Sequence, residues 1–220
     1  MFACLVEPKP SISKKLIIVL TVGMIWLSII GKVVHPGLLP AHIADNTQKG
    51  VTLLLNSGSV NSKKAEVRVI VWLKDGTIPE ELKVKKPLPG WVWNYRELQT
   101  ESGKTAATLS GQCNLDKNEE RKLFTWYTDI AQRLSTTGSQ VYLDERVPQT
   151  IDISAYLSQI NAQPAQWDLT GSLLSIAAFQ ANLNTKVMAG KDRVNIQLVS
   201  RGKNPAGHTV LAIPALLEEF

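Results

Sequence analysis

The chain has little of the chemistry that marks an enzyme. Only two cysteines and three histidines occur in 220 residues. His35, His42 and His208 are scattered, and their intervals do not match the short spacings of a zinc site. No metal and no cofactor is expected. A Gly-x-Ser-x-Gly elbow, a phosphate loop and a dinucleotide fingerprint are all missing. Asp144 and Glu145 are adjacent. On a strand they point to opposite faces, so they cannot flank one glycosidic bond as a carboxylate pair.

A surplus of charge is present but misplaced for nucleic acid. The net charge is +5, from 24 bases and 19 acids. Residues 1–44 hold Lys9, Lys14, Lys15 and Lys32 against Glu7, which leaves 20 bases and 18 acids for the rest. The body of the chain is therefore near neutral, with both signs mixed. A phosphate-backbone binder needs a concentrated positive face.

The basic part belongs to a targeting signal. Residues 16–31 carry no charge, and only Lys32 interrupts the apolar character before Val33 and Val34. About 17–25 helical residues cross a bilayer core, and a secretory core has about 7–15. The run lies on that border. Positive charge upstream keeps the N-terminus in the cytoplasm. A cut after Ala44 would put His42 where a small residue is needed, so the segment reads as an uncleaved signal anchor. Secretion after cleavage is the alternative. No lipobox-like cysteine follows. The expected organisation is an anchor at 1–34, a linker at 35–45 (HPGLLPAHIAD) and one extracytoplasmic domain at 46–220. With Cys4 and Cys113 on opposite sides of the membrane, no internal disulfide is expected. Cys113 ends an alternating run and reads as a small buried residue, not a nucleophile.

Periodicity then predicts the elements. A first helix is expected at 41–56, weakened by Gly50. Residues 66–74 alternate Val67, Val69, Val71 and Leu73 with Arg68, Ile70, Trp72 and Lys74, the pattern of a half-buried strand. Residues 77–90 read as a connection. Strands follow at 91–98 and 105–113, joined by a hairpin turn at 101–104. A helix at 117–136 opens on Asp116 with Glu119 as a capping box and buries Leu123, Tyr127, Ile130 and Leu134. A strand at 140–147, a helix at 151–162, and strands at 173–180, 194–201 and 208–214 complete the chain. The class is α+β, in two structural halves of antiparallel strands with helices packed on one side.

With these elements in place, the chain resembles the YwmB family of bacterial proteins. The residues that carry the resemblance are Gly90-Trp91 to Arg96-Glu97, Leu173-Leu174-Ser175-Ile176 with Phe179, Asn195-Ile196-Gln197, and the terminal Ile213-Pro214-Ala215-Leu216-Leu217-Glu218-Glu219-Phe220. The resemblance implies a fold like that of the TATA-box-binding protein, behind an N-terminal hydrophobic segment. It implies no catalytic residue, and a fold by itself does not carry DNA binding.

Three groups of residues are candidates for binding. Trp91, Trp93 and Tyr95 share one strand face and offer a stacking platform, or else fill the layer between sheet and helices. Arg96 lines a groove or pairs with Glu97. Asn195, Gln197 and Arg201 share another strand face, as a binding surface or as the solvated side of an antiparallel sheet. Whether they share a face with Arg68 and Trp72 depends on the register. Lys83, Lys85 and Lys86 form a basic loop that suits headgroups or wall polymers. The expected function is a membrane-anchored binding or scaffold module of the bacterial cell envelope, without catalysis, whose partner is an envelope protein or glycan. An envelope enzyme acting on wall polymer is the alternative. A nucleic-acid binder with a TATA-like saddle comes third and is disfavoured by the charge count.

Overall fold

The structure is a computed structural model that describes residues 50–99, 105–202 and 207–217. The anchor, the linker, the turn at 101–104 and residues 218–220 lie outside the described residues. Among those described, no helix is long and apolar enough to cross a membrane. Asn46–Met188 and Asp192–Phe220 make up the larger of two compact units.

Alternation of β-branched residues builds the centre. Strand β1 (Ala65–Leu73) sends Val67, Val69, Val71 and Leu73 to a fully buried side. It pairs antiparallel with β3 (Thr105–Leu115) on one side and β4 (Gln140–Val147) on the other. The outer neighbour of β3 is β2 (Asn94–Gln99). On the far side of β4 come β10 (His208–Ile213), β9 (Ile196–Arg201), β6 (Leu173–Phe179) and β5 (Gln163–Thr170). The result is one eight-stranded sheet in the order β2-β3-β1-β4-β10-β9-β6-β5. Short strands β7 (Val187–Ala189) and β8 (Asp192–Val194) lie outside it.

Four helices occur among the described residues: α1 (Leu54–Ser57), α2 (Glu80–Val84), α3 (Lys117–Ser135) and α4 (Ile153–Gln159). α3 begins where the sequence predicts. Asp116 accepts from the Asn118 and Glu119 amides, and Glu119 accepts from the Asp116 amide. Its stripe of Leu123, Tyr127, Ile130 and Leu134 is buried on the valine side of β1 and β4. The Tyr127 and Thr185 hydroxyls share a hydrogen bond at 3.2 Å, and burial pushes the Tyr127 phenol far up. Trp126 donates to the Lys85 carbonyl at 2.8 Å, which ties α2 to the same side. Tyr156 of α4 donates to the Thr52 carbonyl at 2.7 Å. All four helices thus cover one face, and among the described residues no helix covers the other.

Several elements differ from the sequence reading. Within 50–56 the helix begins only at Leu54. The connection at 77–90 contains α2, whose Leu82 is buried. β2 starts at Asn94, not at residue 91. Gly90 (φ +78°) turns the chain and Trp91 lies across Gly111. Strand β5 was not expected, because Pro164 reads as a breaker. It stands on an edge, where a missing N–H is tolerated, and the register shifts between Pro164 and Gln166. Val194 belongs to β8, so the expected strand at 194–201 is split at Asn195.

Gly111 is where sequence and packing meet most tightly. A Cβ there would stand 2.7 Å from Trp91 Cε2 and 2.8 Å from the Val92 carbonyl. Gly111→Ala is therefore expected to destabilise the protein by about 1–3 kcal/mol. Urea unfolding followed by tryptophan fluorescence checks this; an unchanged midpoint would mean that the Trp91 ring is free to move off β3.

Candidate functional site

The register answers the question that the sequence left open. Arg68 stands opposite Asp144, Asp144 opposite Ala212, Ala212 opposite Gln197, and Gln197 opposite Ala177. Residues paired across an antiparallel ladder share a face. Arg68, Trp72, Gln197 and Arg201 therefore lie on one side of the sheet, opposite the four described helices. Arg96, opposite Thr108, which is itself opposite Trp72, belongs to the same side.

This face is mixed. Ile70 on β1 and Val199, Val210 and Ala212 on β9 and β10 are buried, with the β4 row of Tyr142, Asp144 and Arg146 between them. After β10 the chain passes a cis Ile213–Pro214 bond and returns to this side, where the Leu216 amide donates to Gln197 Oε1 at 2.9 Å. Trp72 (36% exposed), Arg96, Arg201 and His208 are open to solvent. Asp144 sits between two arginines: Arg146 Nε donates to it at 3.1 Å, and Arg68 faces it across β1 and β4. Burial pushes the Asp144 carboxyl up, against the pull of Arg146 and Arg68.

The other candidates fall elsewhere. Trp91 is buried and Trp93 half-buried on the helix side, their rings edge to face at 5.6 Å. Trp93 also meets Trp126 at 6.1 Å. Tyr95, 44% exposed, donates to the Gly76 carbonyl and to Glu97. The aromatic strand is mainly a filled layer with one exposed ring at its end. Asn195 is fully buried; its amide group donates to the Gln180 and Leu183 carbonyls and accepts from the Gln180 amide. Gln197 also donates to Ser175 Oγ. These two carboxamides are engaged within the protein; Arg201 is exposed. Cys113 is half-buried; burial and the Glu119 charge push its thiol up, the reverse of an activated nucleophile. No cluster of three or more metal-ligating side chains occurs among the described residues.

The sequence reading did not find the two carboxyls that meet inside the domain. Glu120 is 1% exposed and Glu145 is 0% exposed. Glu120 comes from the first turn of α3, in phase with Leu123 and Tyr127 on the buried stripe, and that phase was the available signal. Glu145 comes from the middle of β4. Their oxygens are taken by the backbone of α1. The Leu54 amide donates to Glu145 Oε2 at 2.5 Å, and the Leu55 amide donates to Glu120 Oε1 at 2.7 Å and Glu145 Oε1 at 3.2 Å. The Asn56 amide and side chain both donate to Glu120. Leu53 provides no side-chain cap, so the carboxyls satisfy the amides that open the helix. Burial, the neighbouring Glu120 charge and a shared hydrogen bond push the Glu145 carboxyl far up. As acids they resemble a catalytic pair, but Leu53, Leu54 and Leu55 seal them from solvent.

No protein-family model matches this chain, and no curated protein matches it in sequence.

The raised Glu145 carboxyl dictates a pH response. The folded state holds a proton that the unfolded chain releases near about pH 4.3. Its stabilising contribution is whole below that value and is lost as pH rises through the folded carboxyl's own, higher one. Glu145→Gln keeps an acceptor for the Leu54 amide and a donor toward Glu120 without titrating. It is expected to gain stability on the native protein as pH rises from 4 to 8, in urea titrations at each pH. Glu145→Ala leaves buried amides without acceptors and is expected to cost about 2–3 kcal/mol. A constant difference between Gln and Glu at every pH would show that Glu145 does not hold the proton.

Proposed function

We propose that this chain is a membrane-anchored, extracytoplasmic binding or scaffold module of the cell envelope, without catalytic activity. Its binding surface is the open face of the sheet. The observation that carries this reading is the placement of Trp72, Arg96 and Arg201 on the side opposite the helices, all exposed. β2 and β9 stand five strands apart in the sheet order. At about 4.8 Å per strand, Arg96 and Arg201 are at least roughly 24 Å apart, and the register also offsets them along the strands. That distance suits an extended partner, such as a protein segment or a glycan strand, better than a small substrate. The backbone-saturated state of Glu120 and Glu145 supports a structural role for those carboxyls over an acid–base one. The anchor at 1–34 supplies the location. The resemblance to the YwmB family and to a TATA-box-binding-protein-like fold belongs to this same reading, as a statement about architecture.

Two measurements test it. A reporter fused after residue 220, with protease treatment of intact spheroplasts, is expected to place the C-terminus outside the cytoplasmic membrane. A photo-crosslinking residue at position 72 in living cells is expected to trap an envelope component, and Arg96→Glu with Arg201→Glu is expected to cut that product at least tenfold. The same residue at Lys122, exposed on α3 and outside any groove, serves as the control. A cytoplasmic C-terminus, or equal crosslinking from positions 72 and 122, would overturn the reading.

A further inference from the structure

A groove of about 290 Å³ lies between α3 and the turn at residues 182–185. α3 contributes Thr128, Asp129 and Gln132, which recur at helical spacing on one exposed side. The turn contributes Asn182, Asn184 and Thr185, and the Tyr127–Thr185 hydroxyl contact forms part of the floor. We propose that this groove is a subsite for one ring of a neutral, polyhydroxylated ligand. It is a second site, independent of the open sheet face.

Three observations carry it. First, the carboxamides of Gln132, Asn182 and Asn184 have no hydrogen-bonding protein partner among the described residues. Each carboxamide both donates and accepts, which matches the paired donor and acceptor character of neighbouring sugar hydroxyls or an acetamido group. Second, the groove's one ionised side chain is already balanced. Asp129 accepts from Arg133 at 2.9 Å and faces Lys85 at 3.5 Å. Its charge is thus not directed at a cationic ligand, and no unbalanced cation awaits an anionic one. Third, the turn is held in place before any ligand arrives. Buried Asn195 donates to the Gln180 and Leu183 carbonyls, Gln180 donates to the Ile160 carbonyl, and Gln180 Oε1 accepts from the Asn182 amide. A preformed turn loses little entropy on binding. Asn195 is thus a positioning residue for this groove. The volume is at the small end for ligand pockets, about 300 Å³ and upward, and suits a single ring.

The test uses the full chain in a sugar-free zwitterionic detergent, with triacetylchitotriose and maltotriose as calorimetric probes. Saturable binding of at least one trisaccharide is expected, with affinity at least tenfold weaker in Asn182→Ala/Asn184→Ala. The thermal midpoint of that variant is expected to match the native protein, since both side chains are exposed. Gln132→Ala supplies a variant on the opposite wall and is expected to weaken the same probe. Absence of saturable binding below about 10 mM would overturn the inference. So would a probe whose affinity is unchanged in both variants. Loss of binding only in Arg96→Glu/Arg201→Glu would move the sugar to the open sheet face, which overturns this site and leaves the binding reading standing.

Discussion

Two carboxyl groups without access to water determine how the chain can fold around them. Glu120 and Glu145 belong to different elements, α3 and β4, yet both end under the same three residues, Leu54, Leu55 and Asn56. A buried carboxyl without partners is costly, and two side by side are worse. The backbone of residues 54–56 supplies the donors, and Tyr156 fixes the neighbouring Thr52 carbonyl. Gln159 of α4 adds a bond to the Ser57 carbonyl at 2.7 Å. The segment that leads into the domain is therefore held by α3, β4 and α4 together. Leu53, Leu54 and Leu55 close over the polar cluster and join the main core. Once this side is occupied, all four described helices lie on it, and no described helix covers the sheet's other face.

That asymmetry organises the functional reading. The helix side uses its large side chains on one another: Trp91 on Gly111, Trp93 on Trp126, Phe124 stacked on Tyr127 at 6.1 Å. Such rings are anchors of packing and have little left for a partner. The open side keeps Trp72 and the outer arginines exposed. The groove beside α3 arises from the same economy of partners: Asn195 and Gln180 use their amides to fix the turn, which frees Asn182 and Asn184 to face outward.

The legible parts of the fold were those where local chemistry and tertiary packing agree. The capping box at Asp116 and the four-residue stripe of α3 depend on neighbours within one or two turns. The alternation of β1 reflects a strand with one side in the core. What stayed hidden depends on distant residues. Glu120 and Leu55 are 65 positions apart, and Glu145 and Leu54 are 91 apart, so no spacing rule joins them. The helix expected over 41–56 is, within the described part, cut short because residues 50–53 are held in non-helical backbone before those amides meet their carboxyls. Pro164 misled because a proline's effect depends on whether its strand is at an edge. The shared face of Arg68 and Gln197 was unreadable because β4 and β10 stand between their strands, and each intervening register is a separate unknown.

Arginines on a sheet face invite comparison with a DNA-binding saddle, and the pairing across strands argues against it. Arg68 stands opposite Asp144, and Arg146 stands opposite Glu66. Opposite charges placed directly across a ladder stabilise the pair and cancel its field. Arg96 and Arg201 are the outer pair, and the sheet order sets them at least about 24 Å apart. Affinity for a phosphate backbone grows with the number of phosphates neutralised, so two distant cations give little. Apolar wedges in a minor groove would also need projecting side chains, whereas Ile70, Val199, Val210 and Ala212 are buried and leave Trp72 as the exposed ring among them. The same arrangement favours a partner that runs along the face, contacts Trp72 by its ring and meets one arginine at each end. A sheet face that carries arginines and a nucleic-acid function are separable here, because most of the charges that DNA would need are already paired across the sheet.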